Sequence, residues 1–342
     1  MLRPLHAHAT FVSLPPRLTR ARGIIGAAAF AACSSTAVDV GSGGVDNGPE
    51  AVVPASRCAA ESVAVSAIRV ARGVTYATRQ RRPLQFDVAW SEQGPPAPLV
   101  LLLHGGGWSG GSRASLAEEM HAFARRGYTA ATVEYRLTQA GQNVFPAAIA
   151  DVRCALRVLR RRASDYHIAP GRVAAVGYSA GGHLASLLGT GTDVRGLDGD
   201  CPGADATDGD DDIRVQAVVA YAAPQDLRVD GPYTREQAEL VTNFLGVFPG
   251  NDLAIATIAS PIAHVSAGDP PFLLVHGTDD ELVPVRHARR MAAALRGVGT
   301  PASVLELRGV GHAFVGLASS DVAKVRCTVD AFLARWLGQP TG

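Results

Sequence analysis

Apolar residues follow two rhythms that alternate from about residue 99 onward. Short, nearly unbroken apolar runs at 98–103, 129–133, 172–176, 215–221, 271–276 and 302–307 have the length of buried strands and are too short for buried helices. Between them, apolar residues recur at helical spacing over 116–126, 182–188, 289–295 and 322–337. A further helix opens at Pro146 and carries Ala150, Val152, Ala155, Leu156, Val158 and Leu159. Buried strands alternating with amphipathic helices predict an α/β class with a mostly parallel sheet covered on both faces. Ahead of this unit, 74–76 and 84–90 read as antiparallel edge strands.

Two stretches break the alternation. Residues 190–212 are rich in Gly and Asp and end in the acidic run 208–212, whose spacing does not fit a calcium loop, so a solvated loop is expected. Residues 224–260 lie between two core strands and are expected to arch over the strand ends as a short cap. Tyr233, Leu240, Phe244, Leu245 and Phe248 in it are candidates for a pocket or for packing.

With 342 residues and 47% hydrophobic side chains, the chain can bury one large core. A net charge of +1 and a charged fraction of 18% give no sign of nucleic-acid binding. The basic runs Arg125–Arg126 and 160–162 fall near helix C-termini, where cations suit the dipole.

The first residues do not follow the folded rhythm. Arg17, Arg20 and Arg22 precede a short apolar run at 24–32 that ends at Cys33-Ser34-Ser35, the pattern of an export leader and too short to span a bilayer. Phe30-Ala31-Ala32-Cys33 resembles a bacterial lipobox with Phe in place of Leu. The expectation is therefore a leader over 1–33, lipid on Cys33 anchoring the protein to a membrane, and a Gly/Ser/Ala/Pro-rich tether over 34–56. The catalytic domain is expected over 57–342. Export makes disulfides available to Cys58, Cys154, Cys201 and Cys327, and four cysteines allow three pairings that spacing does not separate. Free buried cysteines are the alternative.

The chemistry gathers at the ends of the predicted strands. Gly177-Tyr178-Ser179-Ala180-Gly181 joins a strand to a helix, so Ser179 is expected on a strained turn with its hydroxyl exposed. A serine needs a base and an orienting acid. Asp279 and Asp280 follow the strand at 271–276, and His312 follows the strand at 302–307 on a glycine-flanked loop. His104-Gly105-Gly106-Gly107-Trp108 follows the strand at 98–103, and its bare backbone N–H groups can meet an oxyanion together with that of Ala180. His183, His264, His276 and His287 lack partners at metal-ligand spacing, so neither a metal nor another cofactor is expected.

These motifs, with 133–137, 145–148, Asp151, 244–246 and 260–262, resemble the esterase/lipase branch of the α/β-hydrolases. The similarity is to small, nearly capless carboxylesterases of the feruloyl- and acetyl-xylan-esterase-like and hormone-sensitive-lipase-related groups, and it runs from about Val74 to the C-terminus. The resemblance implies the α/β-hydrolase fold, with Ser179 as nucleophile, His312 as base and Asp280 as acid in an H-G-x-x-D-x-x-V-P spacing. Gly106, Gly107 and Ala180 are implied as oxyanion donors, while Tyr135, Arg136 and Asp151 brace the site. Trp108, Tyr178 and Phe244 are candidate pocket residues. The activity implied is hydrolysis of short-chain or aromatic acyl esters of small alcohols or carbohydrates. An arylformamidase-like amide hydrolase and an inactive hydrolase-fold binding protein are the alternatives.

Overall fold

The computed structural model describes residues 67–201, 212–228, 234–314 and 316–340. Cys33, Cys58, Tyr233, the expected leader and tether, and most of the acidic run lie outside them. Strands β1 (Arg69–Arg79), β2 (Arg82–Trp90), β3 (Ala97–Leu103), β4 (Thr129–Val133), β5 (Ile168–Tyr178), β6 (Ala217–Tyr221), β7 (Phe272–Gly277) and β8 (Ala302–Leu307) form one sheet. Its order is β1-β2-β4-β3-β5-β6-β7-β8. The β1–β2 and β2–β4 pairs are antiparallel, and every later pair is parallel.

The continuous apolar runs are explained by burial on both faces. All seven residues of β3 are buried. Leu99, Leu101 and Leu103 join one core with α2 (Ala147–Arg161), α3 (Ala180–Thr190) and α6 (Arg286–Gly297). Val100 and Leu102 face the other way, toward α1 (Ala117–Arg125) and α7 (Ser319–Leu337). Alternate side chains of a strand point to opposite faces, so a strand with helices on both sides has no polar positions to spare. The edge strand β1 extends well beyond the predicted 74–76. Its irregular exposure and two register shifts against β2 hid the rest from a periodicity reading. Among the described residues no helix is long and apolar enough to cross a membrane.

The described parts of the Gly/Asp-rich segment, 190–201 and 212, are tied to α2. Cys154 in α2 is disulfide-bonded to Cys201, and Cys327 in α7 is also disulfide-bonded. Three arginines one helical turn apart on α2 grip the same segment: Arg153 and Arg157 meet Asp198 at 2.9 and 2.7 Å, and Arg160 meets Asp212 at 2.8 Å. Arg160 sits in the last turn of α2, as the basic run predicts, and is a buried, paired charge. The disulfide spans 47 residues, and a loop of that size restricts the unfolded chain by about 4 kcal/mol in the chain-entropy account. Cys201→Ser is expected to lower unfolding free energy by about 2–4 kcal/mol, measured by urea denaturation. An unchanged midpoint would show that the arginine clamp alone fixes this segment.

Candidate active site

β5 delivers its last residue, Tyr178, against β6, and α3 begins two residues later at Ala180. The turn between them holds Ser179 at φ 50° and ψ −116°, a conformation that side-chain-bearing residues rarely adopt. Its two glycines are required by contact. A Cβ at 177 would stand 2.1 Å from the carbonyl oxygen of Gly181, and a Cβ at 181 the same distance from that of Leu103. The turn is tied to the sheet by the Ser179 N–H, which donates to Tyr221 O at 2.8 Å.

His312 and Asp280 come to this serine from the loops after β8 and β7. His312 Nε2 is 3.0 Å from Ser179 Oγ, and its Nδ1–H donates to Asp280 Oδ2 at 2.8 Å. A carboxylate can only accept, so Nδ1 carries the proton and Nε2 is free to accept from the serine hydroxyl. Of the two aspartates, Asp280 is the one in contact. Asp279 is exposed and accepts from Thr278 Oγ1 at 2.9 Å.

Asp280 is buried, which by itself would raise its pKa. Hydrogen bonds from His276 and His312, the charge of His312 and the Val283 N–H at 2.7 Å outweigh burial and hold it down to about 2. The His276 contact was not foreseen. Its Nε2–H donates to Val283 O at 2.7 Å and also lies 3.3 Å from Asp280 Oδ2. One histidine therefore ties the loop's carbonyl and its carboxylate together. The sequence signal was the histidine four residues before Asp280, weighed there only as a metal ligand.

The glycine loop lies directly against the Ser179 turn. A Cβ at Gly105 would be 2.9 Å from Tyr178 O and 3.4 Å from Ser179 Cβ. Gly106 (φ 122°) and Gly107 (φ 57°) occupy left-handed backbone, so glycine suits both. Among the described residues, the N–H groups of Gly106, Gly107 and Ala180 have no backbone acceptor, as a helix's first turn leads one to expect for Ala180. His104 anchors the loop from below. It stacks on Tyr135 with ring centroids 4.3 Å apart, takes that phenol's hydrogen bond on its carbonyl at 2.6 Å, and donates from Nδ1 to Gly105 O at 2.8 Å. Arg136 and Asp151 form a two-pronged pair at 2.8 and 2.9 Å below the same region, a bracing position.

The candidate pocket residues divide. Tyr178 is half-buried beside Tyr221 and Phe314, with ring centroids at 5.9 and 5.2 Å. Trp108 and Phe244 are only 3% and 1% exposed and stack on each other at 4.3 Å. Phe244 belongs to the cap helix α4 (Arg235–Leu245), whose Leu240 lies on Gly107, so the Trp108–Phe244 stack joins the cap to the glycine loop. The Trp108 Nε1–H donates to His183 Nδ1 at 3.2 Å, and His183 Nε2–H donates to Ala259 O at 2.7 Å. Burial lowers the His183 pKa to about 4, so it stays neutral and keeps Nδ1 as an acceptor. His183 thereby links the glycine loop, α3 and the cap. Among the described residues, no group of three or more His, Cys, Asp or Glu is arranged to hold a metal.

The BD-FAE family model matches residues 87–295, and the TAP-like protein family model matches 256–335. The chain is 33% identical over 243 residues to the probable carboxylic ester hydrolase LipM of Mycobacterium tuberculosis, covering 70% of this chain and 54% of that one. It is 31% identical over 225 residues to the esterase LipC of the same organism, covering 64% and 53% respectively. The chain thus spans little more than half the length of these curated relatives. Among solved structures it is similar to Thermogutta terrifontis esterase 2 phosphonylated by sarin, with a TM-score of 0.67, 25% identity, and 80% of this chain and 97% of that one covered.

Proposed function

The chain belongs to the BD-FAE family of α/β-hydrolases, and from that membership we propose that it is a serine carboxylester hydrolase acting on short-chain or aromatic acyl esters. The observation that carries the reading is the continuous relay from Ser179 Oγ through His312 to Asp280, at 3.0 and 2.8 Å. Ser179 Oγ attacks the ester carbonyl while His312 Nε2 takes its proton. The oxygen that gains charge is met by the N–H groups of Ala180 and the Gly106–Gly107 loop. Collapse passes the proton from His312 to the leaving alcohol and leaves an acyl group on Ser179. Water then repeats the sequence, losing its proton to His312 and releasing the acid.

The cap supports a short acyl group. Among the described residues it contains α4 and the six-residue α5 (Leu253–Ile258), and Leu240 of α4 lies directly over the glycine loop. A Cβ at Gly107 would be 2.7 Å from its Cδ2. Substrates of this kind are small-molecule or carbohydrate-linked esters. Export is part of the proposal and is supported by the Cys154–Cys201 disulfide, since such bonds persist in oxidising compartments. Membrane anchoring through Cys33 is proposed from the lipobox resemblance alone.

The test is hydrolysis of p-nitrophenyl acetate, butyrate, octanoate and palmitate. Activity is expected to be greatest on acetate and butyrate and to fall steeply by octanoate. Equal or greater activity on palmitate would overturn the short-acyl reading, and no hydrolysis of any ester would overturn the esterase reading.

A further inference from the structure

One side of α4 touches the Asp280 loop, the glycine loop and the helix that follows Ser179. Gln237, Leu240 and Phe244 are spaced by three and four residues, which puts them on one helix face. Gln237 Nε2 donates at 2.9 Å to each of the carbonyls of Glu281 and Leu282, the two residues that follow Asp280. Leu240 covers the glycine loop at Gly107. Phe244 stacks on Trp108 and meets the His183 ring edge-on at 5.5 Å, reaching the helix that begins after Ser179. The opposite side carries the exposed ion pair Arg235–Glu239.

We propose that α4 is a three-point brace holding the nucleophile, oxyanion and acid loops in register, and that Gln237 is the positioning residue that fixes Asp280 relative to His312. The proposal rests on the catalytic reading given above. Gln237 is buried, and its amide is committed at both ends. Its Oε1 accepts the Thr234 N–H at 2.9 Å while Thr234 Oγ1 accepts the Gln237 N–H, a reciprocal cap that fixes where the helix starts. With Oε1 so engaged, Nε2 is the end that faces the two carbonyls. The same amide therefore starts the cap helix and pins the acid loop. His276 ties this loop from β7, and Gln237 ties it from the cap side at Glu281, which is exposed, and Leu282, which is half-buried.

Gln237→Glu separates the two roles. Glutamate at this position still caps the helix, but it replaces the Nε2 donor with an oxygen facing two carbonyl oxygens. The expected result for p-nitrophenyl acetate is a 10- to 100-fold fall in kcat with KM within twofold of wild type. The downfield proton resonance expected for His312 Nδ1–H in the wild type should weaken or vanish. Gln237→Met fills the same space without polar atoms and carries the same expectation, which covers the case in which a buried carboxylate prevents folding. Glu239→Ala, on the exposed side of the same helix, should match wild type in both readouts. Wild-type kcat and an intact resonance in both Gln237 variants would overturn the brace, as would an equal loss in Glu239→Ala. Labelling of wild-type Ser179 by a fluorophosphonate reads the catalytic assignment independently of α4. An unlabelled wild type would overturn that assignment and the brace with it, whereas a labelled wild type with unaffected Gln237 variants overturns the brace alone.

Discussion

Ser179→Ala is expected to lower kcat for p-nitrophenyl acetate by roughly 10⁶-fold while the protein remains folded. Alanine removes the only atom at 179 that can bond to the acyl carbon, and His312 Nε2, 3.0 Å from Ser179 Oγ in the wild type, is left without a proton to take. Rate enhancement surviving in the variant would come from the oxyanion donors and binding alone. Because nucleophile and base act as a unit, His312→Ala added to Ser179→Ala should cost little more.

Stability separates this site from an ordinary serine turn. The backbone at 179 has φ 50°, which alanine strains as much as serine does, so Ser179→Ala should leave the urea midpoint nearly unchanged. Ser179→Gly should be equally inactive but more stable, by about 1 kcal/mol. That figure is the strain of order 1–3 kcal/mol at such a residue, less the entropy cost of about 0.5–1 kcal/mol that glycine adds. A glycine variant less stable than the alanine variant would show that the turn stores no strain.

The parts of this protein that were legible in its sequence are those fixed by burial and by contact. The runs that became β3, β4, β6 and β7 read as strands because both faces of the sheet are covered there. The glycines at 177 and 181 read as necessary because only a missing Cβ lets the turn pack at 2.1 Å from backbone oxygens. What was not legible depends on where distant segments come to rest. Trp108 and Phe244 looked like pocket walls because an aromatic beside a glycine loop is a natural lining. Their burial is decided by α4, whose packing no local pattern announces. The helix itself left a signal in Thr234-Arg235-Glu236-Gln237, a capping box ahead of Val241, Phe244 and Leu245. The pairing of Cys154 with Cys201 and the clamp of Arg160 on Asp212 are likewise products of loop placement. The link from His276 to Asp280 was missed for a related reason, since it crosses a loop whose path the spacing alone does not give.

Asp280→Asn is expected to lower kcat by roughly 10⁴-fold, because the amide breaks the proton order on which the base depends. Asp280 accepts three N–H groups: Val283 on Oδ1, and His312 with His276 on Oδ2. An amide has one acceptor atom and one donor atom, so it cannot serve both sides. If its oxygen faces Val283, its NH₂ faces His312, the imidazole moves its proton to Nε2, and Ser179 loses its base. If its oxygen faces His312, its NH₂ opposes the Val283 N–H and the acid loop is pushed out of place. The carboxylate also leaves a signature in stability against pH. Its folded pKa of about 2 lies below the ordinary carboxylate value, so it favours the folded state above the unfolded pKa of about 3.9 and loses that contribution as pH falls through about 2. A displacement of this size corresponds to about 2–3 kcal/mol. Asp198, Asp212 and Asp226 are also depressed, by arginine partners that outweigh burial, but they are common to both proteins and cancel in the difference. Urea midpoints at pH 6, 4 and 2.5 should therefore show the wild type losing its advantage over Asp280→Asn between pH 4 and 2.5. Parallel curves would mean that the carboxylate is no better held in the folded protein than in the unfolded chain, and the relay through His312 would then lack its orienting charge.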